Sequence, residues 1–431
     1  MTWYDRFMRL SHEAMRARFY ARDAACDGLF LAAVISTGIY CLPSCGARKP
    51  NEANLRFFLT PREAETAGFR PCRRCRPDDF YRHRDPERDA LLEWAARIRE
   101  NPACVAGVDA LAQALAMSST RLTEMWQRFF HRSPGRFLTE ARVDKARQLL
   151  ATTRERVVEI GALCGYESLS SFNANFRRLT GMSPREYRAL SEGRSFAVAF
   201  PEEQALAAFA LQGRDRDSPC ERASGATLIK AVTIAATPAI LSLTARGGTV
   251  HCRVDAAEKA ELDMFAAHAM VLRLLGFAPD PAPFERMARR DPRLSALVAR
   301  HPGLRIPQTA TVFEGLTWAI IGQQINLPFA FRLRRELVSL AGHPAGGGLI
   351  AHPPPSAVAR LDYGDLERLR FSRRKAEYLI DTARQIAAGA LSVEELPRLP
   401  ADEARDRLEK VRGLGPWSSN YVAMRACAFG D

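Results

Sequence analysis

The chain has 431 residues, 47% of them hydrophobic, which is enough apolar material for several cores and too much for overall disorder. Lysine and arginine number 62 against 49 aspartates and glutamates, a formal charge of +13 that points to a polyanionic partner, nucleic acid first. No apolar run approaches the roughly 20 residues of a membrane helix, and residues 1–10 have no signal-peptide core, so the 10 cysteines read as reduced thiols and metal ligands.

In chain order, an apolar run with partial alternation over residues 29–40 predicts strands leading into Cys41-Leu42-Pro43-Ser44-Cys45. A second pair follows in Cys72-Arg73-Arg74-Cys75. A C-x3-C and a C-x2-C across a basic loop are spaced to close one tetrahedral Zn²⁺ site of four thiolates, and spacing alone fits a structural staple as well as a nucleophile. Residues 81–104 are charged and rich in arginine, and the stretch from Ala90 to Ala95 predicts a linker helix. From Val108 to Tyr187 the chain repeats at an offset of 50 residues, matching Val108 with Val158, Trp126 with Phe176 and Ser133-Pro134 with Ser183-Pro184. Each copy reads as a helix, a short turn and a second helix opened by a serine or threonine cap, over residues 119–130 and 168–179. That is a tandem helix-turn-helix. Residues 228–234 and 249–254 alternate like strands, with Gly247-Gly248 as a turn before the second. Beyond Phe313 the pattern is helical, interrupted by an expected loop over residues 341–356 that contains triple-glycine and triple-proline runs.

Three stretches resemble known families. Gly38-Ile39-Tyr40-Cys41-Leu42-Pro43-Ser44-Cys45-Gly46-Ala47-Arg48 with Gly68-Phe69-Arg70-Pro71-Cys72-Arg73-Arg74-Cys75 resembles the N-terminal domain of the Ada adaptive-response proteins. The resemblance implies that Cys41 accepts a methyl group from a DNA methylphosphotriester, that Cys41, Cys45, Cys72 and Cys75 hold Zn²⁺, and that Thr37, Arg48 and Arg70 meet the DNA backbone. The second helix-turn-helix unit, from Ile160 through Gly181-Met182-Ser183-Pro184, resembles the AraC-type regulators. Groove-facing residues are then expected at Ser119, Thr120 and Arg121 in the first unit and at Ser170, Ser171 and Asn173 in the second, with the two helices about 34 Å apart along the duplex. Residues 302–325, with Ile320-Ile321-Gly322-Gln323-Gln324-Ile325, and the later Val411-Arg412-Gly413-Leu414-Gly415-Pro416-Trp417-Ser418-Ser419-Asn420-Tyr421, resemble the AlkA-type 3-methyladenine DNA glycosylases. Here the resemblance implies a helix-hairpin-helix turn at Gly413 and Gly415, a wedge at Gln323 or Gln324, and a flipped base held by Trp417 and Tyr421 through stacking and cation–π attraction. It places the family's catalytic aspartate beyond Asp431 and so implies an incomplete glycosylase domain that keeps affinity for damaged DNA without excising bases.

The expected fold class is multidomain α+β. It comprises a small zinc domain over 1–80, a linker helix over 81–104 and an all-α tandem helix-turn-helix over 105–190. An α+β AlkA-like N-terminal domain over 195–305 and an all-α helix-hairpin-helix domain over 306–431 follow. The expected function is DNA alkylation repair coupled to transcription, with methyl transfer to Cys41 and excision of alkylated purines. The alternative is a regulator with structural zinc and a glycosylase-like region that only binds DNA. Partners follow as alkylated and promoter duplex DNA, with RNA polymerase for an activator, in a cytoplasmic, nucleoid-associated setting.

Overall fold

The computed structural model describes residues 10–82, 85–257, 260–278 and 280–429. The chain forms two compact units that meet in sequence at Ala95 and Ala96, within the helix Pro86–Glu100. The position assigned to the end of the chain, Asp431, lies outside the described residues.

In the first unit, strands β1 (Leu31–Val34), β2 (Ile39–Cys41), β3 (Leu55–Phe58) and β4 (Arg70–Pro71) form one sheet in the order β3-β1-β2-β4. Successive side chains of a strand point to opposite faces, so β1 serves two small cores. Leu31 and Ala33 join Tyr40, Leu42 and Ala64, while Phe30 and Ala32 join Phe19 and Leu55. β1 pairs antiparallel with β2 and β3, whereas β2 pairs in parallel with β4, setting Ile39 opposite Arg70 and Tyr40 opposite Pro71. That parallel register continues into a hydrogen bond from the Cys72 N–H to the Tyr40 carbonyl, 3.0 Å long. The second cysteine pair is thereby drawn to the end of β2, where the first pair begins.

The second unit opens with the repeat. Helices Val108–Ala114 and Ser119–Phe130 form its first half, Val157–Leu163 and Leu169–Thr180 its second, and the long helix Pro134–Thr152 joins them. Ser118 and Ser168 cap the second helix of each half, accepting the N–H of Arg121 and Ser171. The matched aromatic positions of the two copies are both fully buried, Trp126 in the first and Phe176 in the second.

Five antiparallel strands follow: β5 (Ser195–Ala199), β6 (Glu221–Ser224), β7 (Thr227–Ile234), β8 (Thr237–Arg246) and β9 (Thr249–Asp255), in the order β5-β9-β8-β7-β6. Helices Glu202–Gln212 and Met264–Leu275 lie against the sheet. The second helix-turn-helix half and this sheet share one continuous core, running from Val143 through Phe172, Phe176 and Tyr187 to Val198, Leu241 and Leu275. At the seam Gly181 has φ +73°, and a Cβ there would stand 2.4 Å from a Val198 methyl. The Ala199 N–H donates to the Gly181 carbonyl at 2.7 Å. His268 Nε2 sits 2.8 Å from the Thr180 carbonyl, and its ring meets Tyr187 and Phe196 edge-on. Burial pushes the His268 pKa down to about 3, so the imidazole is neutral at this seam.

The remaining helices, chiefly Val312–Ile321, Leu327–Ala341, Arg373–Ala387, Ala401–Glu409 and Pro416–Cys427, enclose a separate core. The expectation of an all-α region here is corrected by β10 (His343–Gly346) and β11 (Leu349–Ala351), a hairpin within the expected loop. It forms because the apolar underside of β7 needs cover. Leu349 and Ala351 bury with Ala231, and the Ile350 N–H donates to the Pro219 carbonyl at 2.9 Å. Four buried charges fasten the same junction. Lys230 Nζ lies 2.7 Å from Glu221 and 3.1 Å from Glu314, and the Arg334 guanidinium lies 2.7 Å and 3.2 Å from the same two carboxylates.

Candidate metal centre and nucleic-acid interface

Cys41, the last residue of β2, stands opposite Ala32 in the sheet, and Cys45 follows after one tight turn in which the Cys45 N–H donates to the Leu42 carbonyl. Asp27 braces this turn, accepting the Ser44 N–H at 3.0 Å and the Ser44 hydroxyl at 2.5 Å. Lys49 braces it from the other side, its ammonium donating to the Pro43 carbonyl and lying 3.5 Å from the centre of the Phe19 ring. Tyr40 is fixed beneath by its hydroxyl, which donates to Asp78 with the Glu65 carboxylate alongside. Neither Asp27 nor Lys49 belongs to a cysteine motif, and no local spacing marks them.

The four sulfurs of Cys41, Cys45, Cys72 and Cys75 lie within 4.8 Å of one another, the first three buried and the last half-buried. Tetrahedral ligands at a Zn–S distance of about 2.3 Å place their sulfurs about 3.8 Å apart, inside that limit. Hydrogen bonds from Cys41 and then Cys75 hold the Cys45 thiol well below its ordinary range, while those to Cys45 and Cys75, together with burial, push Cys41 up. Four thiols crowded this closely are the donor set that zinc takes. The sulfurs differ in their other partners: the Leu42 N–H donates to Cys75 and the Ala47 N–H supports Cys45, whereas Cys41 is held by neighbouring thiols. Thr37 in the β1–β2 turn, Arg48 beyond Cys45 and Arg70 on β4 are all exposed.

In the second unit Ser119, Thr120, Arg121, Ser170 and Ser171 are exposed and Asn173 is half-buried, all within the first turns of the two repeated helices. The Ser119 hydroxyl donates to Asp109 of the preceding helix at 3.0 Å, so it also ties the unit together.

The glycine pair lies in the turn between helices Ala401–Glu409 and Pro416–Cys427. Gly413 has φ +93°, and a Cβ there would fall 2.3 Å from the Tyr378 ring, so glycine is required twice over. Gly415 caps the following helix in an extended conformation with open space around it, leaving the helix N-terminus free to meet a phosphate. The structure separates the two glutamines. Gln323 is committed, donating to the Gly413 carbonyl at 2.8 Å and to the Ser418 hydroxyl at 3.1 Å. Gln324 is exposed with φ +55°, a strained left-handed conformation for a side chain with a Cβ, and is the residue free to reach outward. Trp417 is 66% exposed and stacks on Tyr421, with centroids 5.7 Å apart and planes 18° from parallel.

Three family models match the chain. The metal binding domain of Ada covers residues 14–78, a helix-turn-helix domain covers 111–190, and the HhH-GPD superfamily of base excision DNA repair proteins covers 317–424. The last match lies near the C-terminus, which corrects the expected fold class: the glycosylase-type HhH-GPD domain is C-terminal, not N-terminal. A probable bifunctional transcriptional activator/DNA repair enzyme AlkA of Mycobacterium tuberculosis is 29% identical over 94% of this chain and 84% of its own length. A DNA-3-methyladenine glycosylase of Bacillus subtilis is 39% identical over 35% of this chain and 50% of its own. The regulatory protein ada of Salmonella typhimurium is 33% identical over 40% and 47%. Among the described residues, no helix is long and apolar enough to cross a membrane.

Proposed function

Because the chain joins an Ada-type zinc-binding domain, a helix-turn-helix domain and an HhH-GPD domain, we propose that it repairs alkylated DNA and switches on transcription in response. The cluster of four sulfurs carries this reading. Zinc bound there keeps the sulfurs deprotonated at neutral pH. Cys41 is the acceptor: its sulfur forms a bond to the methyl carbon of a methylphosphotriester, the methyl–oxygen bond breaks, and the electron pair leaves on the phosphodiester oxygen. A peptide N–H on a thiolate lowers its basicity and with it its nucleophilicity, which favours Cys41 over Cys45 and Cys75. The thioether has no good leaving group, so each chain acts once. Peptide mass spectrometry after incubation with methylphosphotriester DNA should find a single methyl group on Cys41. A methyl on any of the other three would overturn the assignment.

Residues 1–80 thus sense damage, residues 105–190 read promoter DNA through Ser119, Thr120, Arg121, Ser170, Ser171 and Asn173, and residues 306–431 bind alkylated purines. Thr37, Arg48 and Arg70 hold the backbone of the lesion strand. Four thiolates with one dication carry a formal charge of −2, and one methylation leaves −1. Less repulsion from phosphates then strengthens promoter binding. The methylated protein should bind more tightly than the unmethylated one, with a gap that widens as salt is lowered and screening weakens. Titrations across a salt series measure this, and equal affinities throughout would remove the switch. RNA polymerase is the partner such an activator recruits, in a cytoplasmic, nucleoid-associated setting.

In the C-terminal region Gly413 and Gly415 let a DNA phosphate approach the backbone, Gln324 enters the gap left by an extruded nucleotide, and Trp417 with Tyr421 receives the base. Gln323 positions the hairpin through the Gly413 carbonyl and stays out of the duplex.

A further inference from the structure

The second half of the helix-turn-helix repeat holds an open cavity of about 600 Å³, lined by Val157, Val158, Leu169 and Asn173 together with Arg156 and Arg185. Leu169 is the first residue of the helix Leu169–Thr180, and Asn173 lies one turn further on, so the two share a face. Ser170 and Ser171, between them, are short and exposed. Leu169 is 46% exposed and Val158 is 44% exposed. A lone exposed leucine needs no explanation, but here two large apolar side chains open onto one cavity, beside three residues placed toward the groove. The first half of the repeat is built differently. At the positions 50 residues earlier it has Ala106 for Arg156, Gly107 for Val157, Ser119 for Leu169 and Gly135 for Arg185.

We propose that Leu169, backed by Val158, reads the C5 methyl group of a thymine in the promoter. The inference rests on the promoter-reading role of residues 105–190, and adds to it the base feature that the second half selects. That methyl is the apolar group that an unmodified duplex presents on its base edges in the major groove. A recognition helix enters the groove by its N-terminal residues, which is where Leu169 stands. The two serines are too short to hold the helix off the bases, so the leucine is the side chain of this turn with the longest apolar reach. On contact, water leaves both the methyl group and the exposed part of Leu169. Cytosine carries a hydrogen at the same atom and leaves that apolar surface uncovered.

The charges beside this surface favour a duplex over an apolar protein segment. Arg156 and Arg185 are both exposed at the cavity. The Glu159 carboxylate stands 3.7 Å from Arg156 with both side chains exposed, a pairing weak enough for a phosphate to replace. Contacts to phosphate orient the helix and carry no sequence information, whereas the methyl contact does. The first half, with Ser119, Thr120 and Arg121 at the matching turn, offers hydrogen-bonding groups instead. The two halves then differ in chemistry as well as in position.

The test uses the full zinc-loaded chain. A duplex is selected from a random-sequence pool, and each of its thymines is replaced singly by deoxyuridine, which removes the methyl and keeps every hydrogen-bonding group. Fluorescence anisotropy should find a position at which the replacement weakens binding about fourfold, the worth of one buried methyl. Leu169→Ala should abolish that sensitivity, and Leu169→Met should retain it. Thr120→Ala, in the first half, should lower affinity without altering the preference. Arg185→Gln should weaken every duplex alike and reduce the salt slope by about one. A selected duplex indifferent to every deoxyuridine, or a penalty that survives Leu169→Ala, overturns the proposal and leaves promoter reading in place. If no sequence emerges from the pool, promoter reading itself falls and the methyl contact falls with it.

Discussion

Chelation of the metal unfolds the first unit and leaves the second standing. The two cores around β1 are small, each built from about five buried residues, with one sheet and short helices around them. Small domains of this kind depend on a staple, and here the loops bearing Cys41–Cys45 and Cys72–Cys75 are joined by sulfur ligands. Structural zinc supplies roughly 10 kcal/mol or more to such a fold, so its loss exceeds the whole stability of a domain this size. Limited proteolysis after treatment with a chelator and a reductant should cut rapidly within residues 10–82 while a fragment spanning 96–429 persists. Cys45→Ser should give the same pattern without a chelator. Full protease resistance of the metal-free first unit would mean that its apolar cores suffice.

Glu221→Ala should cost the second unit about 3–5 kcal/mol, because it leaves Lys230 and Arg334 buried with a single carboxylate between them. The second-unit transition in urea is the measurement, and a loss below about 1 kcal/mol would mean that water reaches the cluster and compensates. Acid should act through the same cluster. Burial alone would raise both carboxyl pKa values, but Lys230 and Arg334 more than reverse it, holding Glu314 at about 2 and Glu221 well below its ordinary range. Their folded pKa values lie below the unfolded value of 4.5, so their contribution is present above pH 4.5 and drains away as pH falls toward 2. His268 and His352 begin the loss earlier. Burial lowers them to about 3 and about 4, so the unfolded chain takes up protons first as pH falls below about 6.5. Stability of the second unit should therefore decline from near pH 6.5 and steepen below 4.5.

What the sequence discloses depends on whether a feature is local. Each cysteine pair lies within five residues, and the two pairs are bridged by one short strand pairing, so the metal site is legible before any fold is known. The helix-turn-helix repeat is legible for a similar reason, since capping serines and buried aromatics recur at a fixed offset; the observed helices Ser119–Phe130 and Leu169–Thr180 fall within one residue of expectation. By contrast, Glu221, Lys230, Glu314 and Arg334 are spread over more than a hundred positions, and each alone reads as a surface charge. The hairpin of β10 and β11 escapes because its strands are short and lack β-branched runs; what makes them strands is the apolar underside of β7. The choice between Gln323 and Gln324 turns on one backbone angle and one carbonyl partner, neither of which leaves a mark in the residue types.

The core shared across Gly181 and Val198 has a torsional consequence for a duplex that touches both halves of the second unit. A hinged reader and its attached enzyme can meet a DNA rod on any pair of faces. A welded pair cannot: the angle between the two footprints around the rod is fixed by the protein. Since the duplex turns once in about 10–10.5 base pairs, simultaneous engagement recurs at that interval of separation and is refused in between. Sites half a turn out of phase could be reached only by twisting or bending the DNA, so joint binding of two sites on one duplex should rise and fall with their helical phase.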